Sequence, residues 1–406
     1  MTERTENQGE ALREAPDPRR GRTLLALSGA AALSMLGVSV AVPRVTSQVV
    51  AFSGGDGQIG WIASAFAVSY ILLQVPYGNL SDRFGFKPFL VAGYLVSAAA
   101  GLVFALAGSS LPLFLGRAIQ GAGEAPVWSL APALLSLLYP ERKGWIIGRY
   151  SMLLYGGIVV GPLLVPLVPF LDGRGAFWFF AAACLGAAGI VALGVENRRP
   201  RGSADSWSLV GAARLLQTRP VRLALLGIGL YGAAQGLFFA LIPGFLLARG
   251  GFSPVEAGYL LSAMYLGTTL AQFVFGPLSD RRGRRPFMVL GLVVAGAATG
   301  TFFLFPKLSS MALLGVGTTG LGCFFVASMA YLNEKAPESL KGTISGAYYL
   351  FWGVGYFAGP LLWGVLGRWM GQTLSFVLFG AVLAAQAVLL ACFAGEGKTE
   401  PAVCRE

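Results

Sequence analysis

The sequence predicts an all-α integral membrane protein: twelve transmembrane helices in two pseudo-symmetric six-helix bundles. Three observations predict it. Of 406 residues, 55% are hydrophobic and only 12% are charged, with a mean hydropathy of +0.67, whereas a soluble chain is about one quarter charged. Twelve apolar runs follow one another, each close to the roughly 20 residues that cross a bilayer. Finally, the phrase GNLSDRFGFKP at 78–88 returns as GPLSDRRGRRP at 276–286, 198 residues later.

The runs fall at 23–43, 58–79, 89–107, 111–134, 145–168, 175–194, 222–247, 255–277, 287–305, 309–331, 343–367 and 373–395. Residues 1–22 carry both charge signs and proline, unlike a cleaved signal peptide, and read as a short polar tail. Asp56 is placed to cap the second run, and Ser253-Pro254-Val255-Glu256 forms a capping box before the eighth, which gives Glu256 a structural role. The longest connection, 195–221, is basic, and Trp207, Leu209, Val210, Leu215 and Leu216 could line one apolar face of a short interfacial helix. Residues 396–406 form a second tail.

Basic residues set the orientation. With the N-terminus in the cytoplasm, 24 of the 30 Lys and Arg fall on cytoplasmic segments, and Arg44, Arg174, Arg249, Lys307 and Arg368 fall outside. That asymmetry predicts both termini inside, in a multi-pass protein of the plasma or inner membrane. The net charge of +11 is explained by topology, since the basic residues lie in short clusters between spans and form no patch for nucleic acid. Cys184, Cys323 and Cys392 lie in apolar runs and Cys404 in the tail, without a CxxC pair. With no histidine in the chain, neither a metal site nor a catalytic set is expected, so an enzyme is disfavoured.

A second echo shares the register of the first. Gly157-Ile-Val-Val-Gly161-Pro162-Leu-Leu matches Gly355-Tyr-Phe-Ala-Gly359-Pro360-Leu-Leu, again 198 residues on. Two echoes in one register indicate a duplicated six-helix unit, with halves at 23–194 and 222–395 joined by 195–221. Twelve spans, two halves and G-x-L-S-D-R-x-G-x-K/R-P after spans 2 and 8 resemble the major facilitator superfamily of secondary transporters. Arg117-Ala-Ile-Gln120-Gly121 in span 4 resembles that family's R-x-x-Q-G segment. The resemblance covers essentially the whole chain and implies the major facilitator fold, alternating access, and no need of an oligomeric partner.

The charged phrase has a physical reading of its own. Gly78 allows close helix approach, Asp82 suits the positive end of a facing helix, Gly85 permits a tight turn, and Arg83 and Lys87 hold the loop inside. The resemblance implies that Asp82 latches the halves on the cytoplasmic side, against the start of span 11 near Thr343 to Gly346. Gly276, Asp280, Arg281, Gly283 and Arg284 form the second copy. Phe86 stands where a basic residue is usual, so the first copy departs from the pattern. Gly148, Gly157, Gly161 and Pro162 partly match the span-5 signature of antiporters, with Val165-Pro166 in place of its closing glycine pair. The resemblance places span 5 against span 8, and span 11, with Gly355, Gly359 and Pro360, against span 2. Ordinary close packing would also explain these glycines.

Of 19 acidic residues, Glu124 alone sits deep within a span. An ionised group there faces protein or water and usually marks a function. Arg117 and Gln120 share its helix face. Glu124 reads either as a proton carrier tuned by Arg117 or as one partner of a fixed ion pair. Span 1 offers only Ser28, Ser34 and Ser39, without the acid found there in many antiporter relatives. Candidate cavity liners at mid-depth are Tyr70, Gln74, Gln120, Trp128, Tyr155, Tyr231, Gln235, Tyr265, Gln272, Tyr348, Trp352 and Tyr356. Together they suggest an amphipathic cavity with little fixed charge. Proton-driven export of drugs or lipophilic metabolites is the leading expectation, with no cofactor besides the proton gradient. The alternative is uptake of a small organic anion or other solute, anchored on Arg117.

Overall fold

The computed structural model describes residues 18–53, 59–199, 218–248 and 254–393. Among the described residues the chain forms twelve long helices: α1 (Pro18–Ser53), α2 (Ile59–Phe84), α3 (Phe86–Leu106), α4 (Ser110–Leu138), α5 (Lys143–Leu164) and α6 (Gly175–Gly194), then α7 to α12. Helix α7 runs Arg219–Gly236, passes through one π turn at Leu237–Leu241, and continues as Ile242–Ala248. The remaining helices are α8 (Pro254–Arg282), α9 (Arg285–Thr301), α10 (Lys307–Lys335), α11 (Lys341–Met370) and α12 (Gln372–Phe393). No strand occurs among the described residues.

Ten of these helices are long and apolar enough to cross a membrane by composition. The other two, α4 and α8, carry polar side chains inward: Gln120, Glu124, Ser129 and Ser136 on α4, and Thr268, Gln272 and Ser279 on α8. Their lower hydropathy is the cost of facing the protein interior with polar groups, which is affordable only where other helices shield them from lipid.

The two halves repeat each other's packing. Helix α1 lies against α5 and α6, α2 and α3 against α4, and α3 against α6. In the second half α7 lies against α11, α8 and α9 against α10, and α9 against α12. The halves meet mainly along two seams, α2 with α11 and α5 with α8. Both seams reach the basic end of the bundle, where α1 begins and α12 ends.

Some boundaries differ from the sequence expectation. Helix α1 starts within the stretch read as a tail and continues through Pro43 to Ser53, because Val45 and Val49 still bury an apolar stripe beyond the expected end. Arg44, expected in a loop, is therefore helical and pairs with Asp172. Helix α5 stops at Leu164, where Val165-Pro166 converts it to two short 3₁₀ turns. The proposed cap at Asp56, the capping serine Ser253, and the interfacial helix around Trp207 lie outside the described residues.

Candidate transport site

The polar stripe of α4 is a continuous hydrogen-bonded chain. Arg117 Nη1 donates to Gln120 Oε1 at 2.8 Å, and Gln120 Nε2 donates to Glu124 Oε1 at 2.7 Å. One turn further, Trp128 Nε1 donates to Glu124 Oε2 at 3.3 Å. Spacings of three and four residues bring these groups onto one face. Arg117 and Glu124 thus communicate through Gln120 and form no direct ion pair. The Arg117 guanidinium also lies over the Phe66 ring of α2, 4.6 Å from its centroid. Glu124 is 5% exposed and Gln120 1%, so side-chain donors from Gln120 and Trp128 hold a buried carboxylate.

Trp128 carries the stripe into an aromatic cluster that straddles the halves. Its indole lies within 19° of parallel to that of Trp352 on α11, with centroids 6.4 Å apart. Tyr155 stands edge-on to Trp128, while Tyr70 and Tyr349 stand edge-on to Trp352. Tyr356 stacks on Trp352, with centroids 5.0 Å apart. Trp352 Nε1 donates to Gln235 Oε1 of α7 at 2.7 Å, and Gln235 Nε2 lies 3.5 Å from the Tyr155 hydroxyl. Tyr265 packs on Phe239 at 4.3 Å and borders Tyr155 at 6.5 Å. Gln74 lies beside Tyr70.

Not every expected liner faces an open space. Tyr231 is fully buried and packs on Phe324 and Phe325. Tyr348 is fully buried too, with its hydroxyl 3.2 Å from that of Ser328. Both belong to the interior of the second half, because α7 and α11 present these positions to α10 rather than to the first half. Gln74 and Gln272 are 0% exposed and sit at pseudo-equivalent positions in the two seams. Phe66 and Tyr349 belong to the central cluster but were missing from the sequence-derived set. An apolar ring in an apolar run carries no signal of depth or direction.

At the basic end each aspartate of the repeated phrase grips the opposite half. Asp82 accepts from the Gly342 and Thr343 nitrogens at 2.7 and 2.8 Å and from the Thr343 hydroxyl at 2.7 Å, in the first turn of α11. Asp280 accepts from the Gly144 and Trp145 nitrogens at 2.8 and 2.7 Å, in the first turn of α5. A helix start offers unpaired N–H groups and a partial positive charge, so a carboxylate fits there. Between the two grips, the Ser136 hydroxyl lies 3.0 Å from Asn333 Oδ1. Gly85 and Gly283 have φ of 92° and 86°, left-handed conformations that turn each phrase sharply into the next helix. Arg83 and Arg281 are exposed, and Lys87 is half-buried.

A family model described as Major Facilitator Superfamily matches residues 27–250 and 224–405. The chain belongs to the Major Facilitator Superfamily. It is 28% identical over 393 residues to the inner membrane transport protein YajR of Escherichia coli, covering 91% of this chain and 82% of that one. Among solved structures, the human organic anion transporter MFSD10 superposes with a TM-score of 0.78 at 16% identity, covering 91% of this chain and 99% of that one. The E. coli fucose:proton symporter FucP superposes with a TM-score of 0.76 at 16% identity, covering 92% and 98%. These two likenesses concern the fold. As a member of this superfamily the chain is a membrane transporter of a small solute, and not an enzyme.

Within the superfamily fold, the two phrases of this chain have diverged. Arg284 contacts Glu334 Oε1 at 2.7 Å, Asp280 Oδ1 at 2.5 Å and Ser279 Oγ at 2.6 Å. The positions 198 residues earlier hold Phe86 and Ser136, so both members of the Arg–Glu pair are replaced together in the first half. There the Thr343 hydroxyl supplies the third donor to Asp82, and Lys341 turns instead to the carbonyls of Asn333 and Ala336 at the end of α10.

The glycine phrase also divides differently from expectation. Gly157 packs against the Ala32 carbonyl of α1, and Gly161 against Leu36 and Ser39 of α1. Gly355 and Gly359 pack against Gly229 and Ala233 of α7. These contacts lie within each half. The seams use other glycines: Gly144 and Gly148 against Gly276 and Gln272, and Gly342 and Gly346 against Gly78 and Gln74. Nine residues separate Gly148 from Gly157, which is two and a half turns on a helix of 3.6 residues per turn. The two sets therefore mark opposite faces. Pro162 and Pro360 lie inside α5 and α11.

Proposed function

We propose that the protein is a proton-coupled secondary transporter that exports an amphipathic, ring-bearing compound by alternating access. The observation that carries this reading is the placement of Glu124. Among the described residues it is the single acid deep within a span, it is held by Gln120 and Trp128, and Trp128 is itself part of the central aromatic cluster between the halves. A carboxylate that hydrogen-bonds a cargo-contacting ring can couple its protonation to occupancy. Protonation converts one acceptor oxygen of Glu124 into a donor and rearranges its bonds to Gln120 and Trp128.

The paired aspartates act as the cytoplasmic gate, with the topology given by the basic loops. Grips at both helix starts favour the outward-facing arrangement. Their release, with separation along the α2–α11 and α5–α8 seams, would open the inner side. The protein then acts as a monomer in the inner or plasma membrane, and the proton gradient is its only other requirement.

A second reading rests on Arg117. Among the described residues it forms no ion pair, and its guanidinium lies on Phe66 beside Tyr356. That arrangement could hold the carboxylate of an organic anion, the cargo class carried in the name of MFSD10.

The deciding experiment uses inside-out vesicles with the purified chain, an imposed proton gradient and a pH-sensitive dye. Wild type should release protons when a lipophilic cation or neutral aromatic drug is added, and Glu124→Gln should not. Saturable uptake of an organic acid, lost in Arg117→Gln and kept in Glu124→Gln, would replace the first reading by the second.

A further inference from the structure

The buried glutamines of the fold fall into two kinds. Gln120 is bonded at both ends of its carboxamide, to Arg117 and Glu124. Gln235 accepts from Trp352 and reaches the Tyr155 hydroxyl. Gln74 on α2 and Gln272 on α8 are different. Each is 0% exposed, and neither the oxygen nor the nitrogen of either carboxamide has a hydrogen-bond partner among the described residues. The Tyr70 hydroxyl is unpartnered as well, so Gln74 and Tyr70 lie side by side without a bond. The two stranded glutamines stand 198 residues apart, in the register of the internal repeat.

Both also lie on the seams between the halves. The backbone carbonyl of Gln74 abuts Gly346 of α11, and that of Gln272 abuts Gly148 of α5. Each glutamine precedes the gripping aspartate of its own helix by eight residues, Gln74 before Asp82 and Gln272 before Asp280, or about 12 Å along the axis. Between them Gly78 meets the Gly342 carbonyl, and Gly276 meets that of Gly144.

We propose that Gln74 and Gln272 are a matched pair of destabilising groups that oppose the aspartate grips, so that the closed seams remain able to part. The proposal rests on the reading that the gripped end is the cytoplasmic gate. It needs neither the cargo nor the proton coupling assigned above.

Along each seam helix the two polar groups act in opposite senses. The aspartate is well supplied with donors and holds the seam shut. The carboxamide is shut away from every partner, which is unfavourable for a buried polar group. Lipid offers it no relief, because hydrocarbon neither donates nor accepts. Relief comes when the seam parts on the cytoplasmic side and water reaches the carboxamide. The closed arrangement therefore carries two stranded carboxamides that the open one does not, and the equilibrium shifts toward opening by that difference. Two grips and two backbone contacts between glycines, left unopposed, would favour closure strongly. A transporter that alternates needs both arrangements populated.

Methionine has nearly the length and flexibility of glutamine without its polar end, so Gln74→Met and Gln272→Met remove the stranded group and little else. The full chain would carry one cysteine in place of Ser136, in a background without the native cysteines, and the rate of its reaction with a water-soluble thiol reagent would be measured together with the melting temperature. Each methionine should raise the melting temperature and slow labelling by about fivefold, and the double variant should slow it further. Gln235→Met is the comparison. It removes hydrogen bonds that are made, so it should lower the melting temperature. The proposal is overturned if Gln74→Met and Gln272→Met lower the melting temperature as Gln235→Met does, since the carboxamides are then satisfied in the closed state. It is also overturned if they raise it without changing the labelling rate, because they then weaken the fold and not the gate. Thr343→Val separates this failure from that of the underlying reading. If Thr343→Val speeds labelling while the methionine variants leave it unchanged, the gate stands and the glutamine pair falls. If Thr343→Val has no effect either, the gate reading falls and takes the pair with it.

Discussion

Asp82 and Thr343 are joined twice: the Thr343 nitrogen and hydroxyl both donate to Asp82 Oδ2, at 2.8 and 2.7 Å. The hydroxyl bond has no counterpart at Asp280, which is served by Arg284 instead. A hydrogen bond to a charged group contributes about 1.5–3 kcal/mol. Thr343→Val removes one such bond while keeping the backbone donors and the side-chain shape. The expected result is a roughly tenfold rise in the reactivity of a cysteine placed at Ser136, between the grips, toward a water-soluble thiol reagent. The measurement needs a background without the native cysteines. An unchanged rate would mean that the Asp82 contact does not restrain the basic end.

Arg284 is 8% exposed and joins two carboxylates. Arg284→Ala leaves Asp280 and Glu334 without their shared cation, a loss of about 3–5 kcal/mol for a buried pair, and should lower the melting temperature clearly. The first half supplies the converse test. Phe86 is 0% exposed, and Phe86→Arg alone buries a cation where no glutamate stands, so it should also destabilise. The double variant Phe86→Arg with Ser136→Glu recreates the second-half pairing and should recover at least half of the loss. Melting temperatures of the four proteins close the cycle.

Much of the architecture is legible in the sequence because lipid imposes a simple rule: about 20 apolar residues per crossing, with basic residues gathered at one end. The internal repeat is legible for another reason. Asp82 and Asp280, or Gly85 and Gly283, do the same work in each half, so their spacing survives duplication. Direction around a helix is much less legible. Gly148 and Gly157 stand in one signature, yet they face α8 and α1 respectively, and small residues read alike on every face. Tyr231 and Tyr356 look equally suited to a cavity, but only packing reveals that Tyr231 turns toward Phe324 while Tyr356 stacks on Trp352. Glu334 lies close to a helix end among charged neighbours, where a topogenic role explains it just as well as its pairing with Arg284. Glu256 reads as a helix-start residue and also meets Lys307 at 2.6 Å on the surface.

The glycines of α5 differ sharply in what they tolerate. A methyl at Gly148 would run into the Gln272 carbonyl of α8, whereas a methyl at Gly156 meets nothing within 4 Å. Gly148→Ala should push α5 off α8 and lower both melting temperature and transport. Gly156→Ala should be neutral or slightly stabilising, since alanine is the better helix former by up to about 1 kcal/mol. Equal behaviour of the two variants in thermal unfolding would show that the α5–α8 seam is not packed to contact at this position.

Gln120 bridges the two charges of α4, accepting from Arg117 and donating to Glu124. This geometry separates a transport defect from a folding defect. Glu124→Gln keeps an acceptor for Gln120 or Trp128 in nearly the same volume and removes only the titration, so its melting temperature should stay close to wild type while gradient-driven movement is lost. Gln120→Leu retains both charges but removes the group that satisfies them. An unsatisfied group in a water-poor interior costs about 1–3 kcal/mol, and more when it is charged. That variant should melt well below Glu124→Gln. Restoring stability in Gln120→Leu by adding Glu124→Gln would show that the cost comes from the stranded carboxylate. If Gln120→Leu is instead as stable as wild type, Arg117 and Glu124 reach water or each other without the bridge, and the chain from Arg117 to Trp128 is not a functional unit.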